Sequence, residues 1–268
     1  MTVKPEEAYG RVEAARAKDR PLGRDYIDHL ISDFTELHGD RRFADDKAVV
    51  AGIGKLKNMP VTVIAVDKGR SVKEKVACNF GSPHPEGYRK ALRQMKLAEK
   101  FGRPVLCIVD TPGAYPGVGA EERGQGAAIA ENLMEMMMLR TPVIALFIGE
   151  GGSGGALALA VADTVYMMEN AVYSVISPEG CASILWKDSK KMREAAACLK
   201  MTAQDLLALG AADYVSPEPE GFRVGTRPAK QVYYRLEDLL HAEFRKLNGM
   251  KREVLLERRY QRFRKFGK

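Results

Sequence analysis

A glycine-rich run, Gly149-Glu150-Gly151-Gly152-Ser153-Gly154-Gly155, interrupts the apolar stretch Val143 to Ile148 and leads into the Ala/Leu-rich segment Ala156 to Ala162. Glycine this dense between a strand and a helix permits positive φ and lets another molecule's atoms come close to the main chain. The first amides of a helix lack acceptors within it and lie at the positive end of its dipole, so such a turn can donate to an oxyanion. A second turn of the same character, Asp110-Thr111-Pro112-Gly113-Ala114-Tyr115-Pro116-Gly117-Val118-Gly119, follows the apolar run Pro104 to Val109. Amides from two strand ends that converge on one cleft would stabilise charge developing on oxygen. That chemistry suits the enolate of a thioester, which needs a polarised carbonyl more than a strong side-chain base, and it works without a His/Asp/Cys cluster.

Two short patterns overlap the same glycines. Gly151-Gly152-Ser153-Gly154-Gly155 fits G-x-S-x-G, which would make Ser153 a hydrolase nucleophile. Such a nucleophile needs a base, and none of the histidines, His29, His38, His84 and His241, stands in a comparable strand-end loop late in the chain. Gly149-x-Gly151-x-x-Gly154 fits a dinucleotide fingerprint, with Glu169 where a ribose acceptor would stand. That pattern usually opens a domain, and it leaves the turn from Pro112 to Gly119 without a role.

The elements that must hold these turns read as α/β. Val143 to Ile148 and Pro104 to Val109 are apolar runs of strand length, as in strands buried on both faces, and Ala48 to Leu56 and Val61 to Val66 form a hairpin through Lys57-Asn58-Met59-Pro60. Helices are predicted over Glu86 to Phe101 and Ala120 to Leu139. Strand, glycine turn and helix then repeat, which with right-handed crossovers gives a largely parallel sheet carrying both turns at one end. Further strands are predicted at Thr164 to Met168 and Ala171 to Val175, and helices at Ala182 to Leu199 and Thr202 to Leu209. Met134, Met136, Met137 and Met138 read as core or subunit-interface packing. Glu6 to Lys18 and Arg24 to Leu37 read as two helices ahead of the sheet. The expected division is residues 1–38 as N-terminal helices, 39–217 as the main domain and 218–268 as a helical basic extension.

A chain of 268 residues with 46% hydrophobic and 29% charged residues suits a soluble domain with appendages, and no apolar stretch is long enough for a membrane span. Cys78, Cys107, Cys181 and Cys198 form no C-x-x-C pair, so reduced thiols are expected and a structural metal is not. Much of the net charge of +7 lies from Arg245 to Lys268, where a solvated basic tail is expected. Nothing interleaves aromatics with those charges, so nucleic acid is not an expected partner. Lys68, Arg70, Lys73 and Lys75 crowd one loop that either meets an anion or is simply solvated. His84, held between prolines, is not expected to bind metal. Met1 to Arg20 is charged and lacks the apolar core of a secretion signal, which predicts a cytoplasmic location.

Longer blocks carry a resemblance. Asp110 to Gly117, Glu121-Glu122-Arg123-Gly124-Gln125, Gly149 to Gly155 and Tyr173 to Lys187 resemble the carboxyltransferase α subunit of bacterial acetyl-CoA carboxylase. Gly39-Asp40-Arg41, Ala44-Asp45-Asp46-Lys47 and Pro85-Glu86-Gly87-Tyr88-Arg89-Lys90 extend the likeness over residues 25 to 217, and Arg258-Arg259-Tyr260-Gln261-Arg262 resembles the family's end. The resemblance implies a crotonase/ClpP-like fold, a spiral of repeated ββα units with flanking N- and C-terminal helices. It implies a biotin-dependent carboxyltransferase that moves a carboxyl group from carboxybiotin, borne on biotin carboxyl carrier protein, to acetyl-CoA. The product is malonyl-CoA, the first committed step of fatty acid biosynthesis. Gly151 and Gly152 would then bind the cofactor and donate catalytic amides, with Gly113 and Ala114 as catalytic neighbours and Tyr115 and Pro116 helping to hold the cofactor. It also implies an α2β2 assembly in which a β subunit, bearing the zinc ribbon this chain lacks, supplies the acetyl-CoA side, and in which biotin carboxylase is an indirect partner. A scaffold that only holds the β subunit, or a decarboxylase acting on malonyl-CoA without biotin, are the alternatives.

Overall fold

The computed structural model describes residues 4–267. In chain order, α1 (Pro5–Ala15) and α2 (Gly23–Leu30) lead into β1 (Ile31–Glu36), β2 (Val49–Leu56) and β3 (Met59–Val66). The short α3 (Val72–Ala77) and long α4 (Pro85–Lys100) cross to β4 (Val105–Thr111), and α5 (Val118–Glu122) and α6 (Gln125–Met138) cross to β5 (Val143–Gly152). After α7 (Ser153–Leu157) come β6 (Thr164–Met168), β7 (Val172–Ser174), α8 (Pro178–Trp186), α9 (Met192–Cys198), α10 (Ala203–Ala208) and β8 (Tyr214–Ser216). The helices α11 (Arg227–Asn248) and α12 (Arg252–Arg264) follow.

One sheet runs β1-β2-β3-β4-β5-β6-β8, with β7 paired to β5 off that path. The first three strands are antiparallel and every later pairing is parallel. Every residue of β4, and of β5 as far as Gly149, is buried, which is what helices on both faces demand of a central parallel strand. The result is an α/β fold with a mixed sheet and flanking helices. Parallel strands of this kind end together, so the loops after β4 and β5 emerge side by side.

Three expectations change. The helix expected from Arg24 to Leu37 stops at Leu30, and Ile31–Glu36 is an edge strand antiparallel to β2. Ile27, Leu30 and Ile31 all enter one core cluster, so their spacing suggests continuous helix across a boundary set by pairing to a distant strand. A bulge between Ser32 and Thr35, with Asp33 at φ 53°, lets the edge turn. Second, the sheet therefore begins before residue 39. Third, the basic stretch from Arg245, expected to be solvated, forms the end of α11 and α12; Arg245, Lys246, Lys251, Arg252, Arg264 and Lys265 are exposed, but Arg259 is 0% exposed. The methionines of α6 divide by face: Met136 is buried, whereas Met134 and Met138 are 64% and 63% exposed.

Candidate active site at the ends of two parallel strands

The end of β5 is bent by a specific device. Val109 stands opposite Phe147, but Thr111 stands opposite Gly151, so β5 carries two extra residues against β4. The Asp110 carboxylate fills that bulge, and its Oδ1 accepts the Glu150 N–H at 2.8 Å. A Cβ on Gly149 would come within 2.3 Å of the same oxygen, which is why glycine stands there. On the other side of the bulge the Ile148 carbonyl accepts from Arg20 Nε at 2.6 Å. A bulge re-aims a strand, and here β5 pairs β6 through Ile144–Phe147 and then β7 through Glu150–Gly152.

Charges from four parts of the chain lock this bend. Lys68 Nζ lies 2.6 Å from Asp110 Oδ1 and 2.9 Å from Glu150 Oε2. Arg16 Nε reaches Glu150 Oε1 at 2.7 Å, and Arg20 pairs with Glu218 through its two terminal nitrogens, Nη1 and Nη2. The crowded basic loop is thus partly accounted for: Lys68 serves the bend and Arg70 pairs with Asp25. Burial pushes the Glu150 carboxyl up, but Lys68 and Arg16 outweigh it and hold the group below the ordinary glutamate value. A carboxyl lowered on folding contributes stability above its unfolded pKa, about 4.3, and that contribution is lost as pH falls through the folded value. Glu150→Gln should therefore lower the melting temperature at pH 7, and the gap to the parent should close below about pH 4. Melting curves from pH 3 to 8 that keep a constant gap would contradict this linkage.

The two glycine turns touch. A Cβ on Gly152 would lie 2.1 Å from the Pro112 carbonyl oxygen and 2.7 Å from the Gly113 nitrogen, and one on Gly155 would lie 2.5 Å from the Ala114 nitrogen. Both glycines are required because the main chain of the other turn occupies the space a methyl would need. The Tyr88 hydroxyl, buried and without a hydrogen bond among the described residues, would lie 2.8 Å from a Cβ on Gly155. Tyr115 stacks on His84 with ring centroids 4.3 Å apart, its N–H donates to the Pro83 carbonyl, and Gln125 Nε2 donates to the Pro83 and Tyr115 carbonyls. Pro116 lies exposed on the same loop.

Not every expected donor is open. Gly151 stands opposite both Thr111 on β4 and Tyr173 on β7, and Gly152 stands opposite Ser174. These two are the last rungs of a paired strand and not, as their context suggests, residues of an open bend. Gly113, at φ 140°, gives its N–H to Thr111 Oγ1 at 3.0 Å, so it shapes its own turn. The Ala114 N–H, by contrast, makes no hydrogen bond among the described residues. The first amides of α7 lack acceptors within that helix. An array of main-chain donors at a shared strand end can hold developing negative charge on an oxygen. The sequence reading gave no site role to Tyr88 or to Arg20 and the Asp110 carboxylate, whose partners lie far away in the chain, whereas Lys68, in the loop expected either to meet an anion or to be solvated, meets two carboxylates.

The sequence matches the family described as acetyl co-enzyme A carboxylase carboxyltransferase-like over residues 4–267. The chain belongs to that family. A relative from Ruminiclostridium cellulolyticum, named acetyl-coenzyme A carboxylase carboxyl transferase subunit alpha, is 59% identical over 260 residues, which is 97% of this chain and 98% of the relative. One of the same name from Bacillus cereus is 53% identical over 97% of this chain and 80% of its own length. Among solved structures, a Pseudomonas malonate decarboxylase hetero-tetramer in complex with coenzyme A is similar with a TM-score of 0.67 at 19% identity, covering 88% of this chain and 91% of that one. Transcarboxylase 12S gives 0.66 at 21% identity over 84% of this chain and 42% of that one. Likeness at that identity concerns the fold, which is crotonase-like as the resemblance implied. As an acetyl-CoA carboxylase carboxyltransferase, the chain is a biotin-dependent transferase.

Proposed function

We propose that the chain is the α subunit of the acetyl-CoA carboxylase carboxyltransferase. In this reading it moves a carboxyl group from carboxybiotin to acetyl-CoA, forming malonyl-CoA, where the Gly113–Ala114 and Gly152–Gly155 bends meet. The observation that supports this location is their contact, in which the main chain of Pro112–Ala114 excludes a Cβ at Gly152 and at Gly155. The residues fit a ligand that offers oxygen acceptors, because the Ala114 N–H is without a partner among the described residues and the amides leaving β5 after Gly152 open a helix. Carboxybiotin, when bound, supplies the activated carboxyl group. Gly151 and Gly152, expected from the resemblance to be the donors, set the strand end, and the amides just beyond them join Ala114 in holding negative charge. Tyr115 and Pro116 form the wall beside them. Losing one such donor lowers turnover by about 10²- to 10³-fold.

The acetyl-CoA side comes from a zinc-bearing β subunit in an α2β2 assembly, and the biotin arrives on biotin carboxyl carrier protein in the cytoplasm. Exposed apolar side chains beside the site support a subunit contact: Val175, Ile184 and Leu185 are 78%, 69% and 64% exposed just after β7 and on α8. Mixing acetyl-CoA with the chain, a β subunit and carrier whose biotin has been carboxylated should give malonyl-CoA and free the biotin only when all three proteins are present. Carbon dioxide release from malonyl-CoA without biotin would favour a decarboxylase, and β-subunit binding without turnover would favour a scaffold.

A further inference from the structure

A groove of about 450 Å³ opens between the loop of residues 38–42 and the outer face of α4, away from the bends described above. Of its ten lining residues six are cationic and two acidic, so the fate of each charge decides what the groove can hold. Asp40 is consumed internally: Oδ1 accepts from the amides of Arg42, Phe43 and Ala44, and Oδ2 accepts from Arg89 Nε. Arg89 is shared with Glu86, Lys96 pairs with Glu135, and Arg42 reaches Glu131 at 3.5 Å. Arg41, Arg93 and Lys100 have no carboxylate within ion-pair distance among the described residues.

The first two are also placed together. Arg41 Nη1 and Arg93 Nη2 both donate to the single His38 carbonyl, at 2.8 and 3.1 Å. Two guanidiniums converging on one neutral acceptor repel each other across partly exposed space. Burial and then the charge of Arg41 both push the Arg93 guanidinium below its ordinary value. A multiply charged anion between them would remove that conflict and use their planar donor forks. Leu92 and Leu97 line the groove beside them and leave room for an organic portion.

We propose that the groove between loop 38–42 and α4 is a binding site for a phosphate or diphosphate group, held by Arg41 and Arg93 with Lys100 at the rim. The proposal stands apart from the carboxyl-transfer reading, since none of its residues belongs to the bends. Titration calorimetry of the full chain with inorganic pyrophosphate at low salt should give saturable binding at one site. Affinity should fall about tenfold or more in Arg41→Ala, as for loss of a charge-assisted hydrogen bond, and measurably in Lys100→Ala. Both positions are exposed, so neither variant should disturb folding, which far-UV circular dichroism checks. Arg93 also holds the Gly39 carbonyl, so Arg93→Ala is the less clean variant. Competition names the source: displacement of pyrophosphate by acetyl-CoA points to the phosphates of a coenzyme thioester, and displacement by ATP alone points to a free nucleotide. Absence of saturable pyrophosphate binding, or parental affinity in both folded variants, would overturn the site.

Discussion

Gly152→Val should reduce malonyl-CoA formation in the reconstituted α/β complex by at least about 10²-fold while the sheet persists. The reason is steric and local. A Cβ at residue 152 would meet the Pro112 carbonyl oxygen at 2.1 Å and the Pro112 carbonyl carbon at 2.3 Å. Neither is the far end of a flexible side chain, so the Pro112-Gly113-Ala114 segment must move, carrying the Ala114 amide away from the amides after Gly152. Overpacking of this kind costs about 1–3 kcal/mol, which a domain of this size tolerates, so folding and β-subunit binding should survive. Gly152→Ala should already show most of the loss, since the first carbon makes the clash. Gly126→Ala serves as the control, because nothing lies within 4 Å of the added atom there. Turnover of Gly152→Val within a few-fold of the parent, in a complex shown to be assembled, would remove the bends from the chemistry.

The parts of this fold that were readable in the sequence are those whose environment is the same on every side. Val105–Val109 and Val143–Ile148 are buried on both faces, and their unbroken apolar runs announce it without knowledge of any neighbour. The glycine runs also announced a close approach to the main chain, expected there from another molecule, whereas the atoms that exclude a Cβ at Gly149, Gly152 and Gly155 are the protein's own. Where β5 ends was hidden, because its last three residues are strand through pairing with β7 and, at Gly151, with the end of β4. Pairing of that sort leaves no periodic trace, and the same holds for β1. Charged residues were the least legible. Arg20, Lys68 and Arg259 look like solvated cations in composition, yet each meets its carboxylate across at least 42 positions of chain, Lys68 to Asp110 being the shortest such span. The identity of the reaction came from long matching blocks, since amide donors carry no side-chain signature.

The largest loss of stability should come from one of those hidden pairs. Arg259 and Asp163 are both 0% exposed in their side chains and are joined at 2.6 Å. Arg259 Nε and Nη2 form a two-pronged contact with the carboxylate, Nη1 donates to the Met136 and Leu139 carbonyls, and Nη2 also donates to the Thr141 carbonyl. Asp163 Oδ2 in turn accepts the Val143 N–H at the first residue of β5. One side chain from α12 therefore ties the end of α6, the start of β5 and the loop before β6. Arg259→Ala would leave a buried carboxylate without its counter-charge and take a donor from three carbonyls, and breaking such a pair costs about 3–5 kcal/mol. Denaturant unfolding should show that loss, against less than about 0.5 kcal/mol for the exposed Lys265→Ala. Arg259→Lys should recover little, because an ammonium has three donors and no planar fork to meet five acceptor contacts. Removing both charges with Arg259→Met and Asp163→Leu should recover more than Arg259→Lys does, since neither partner is then left uncompensated. A loss below about 1 kcal/mol for Arg259→Ala would mean that α12 is a dispensable basic tail.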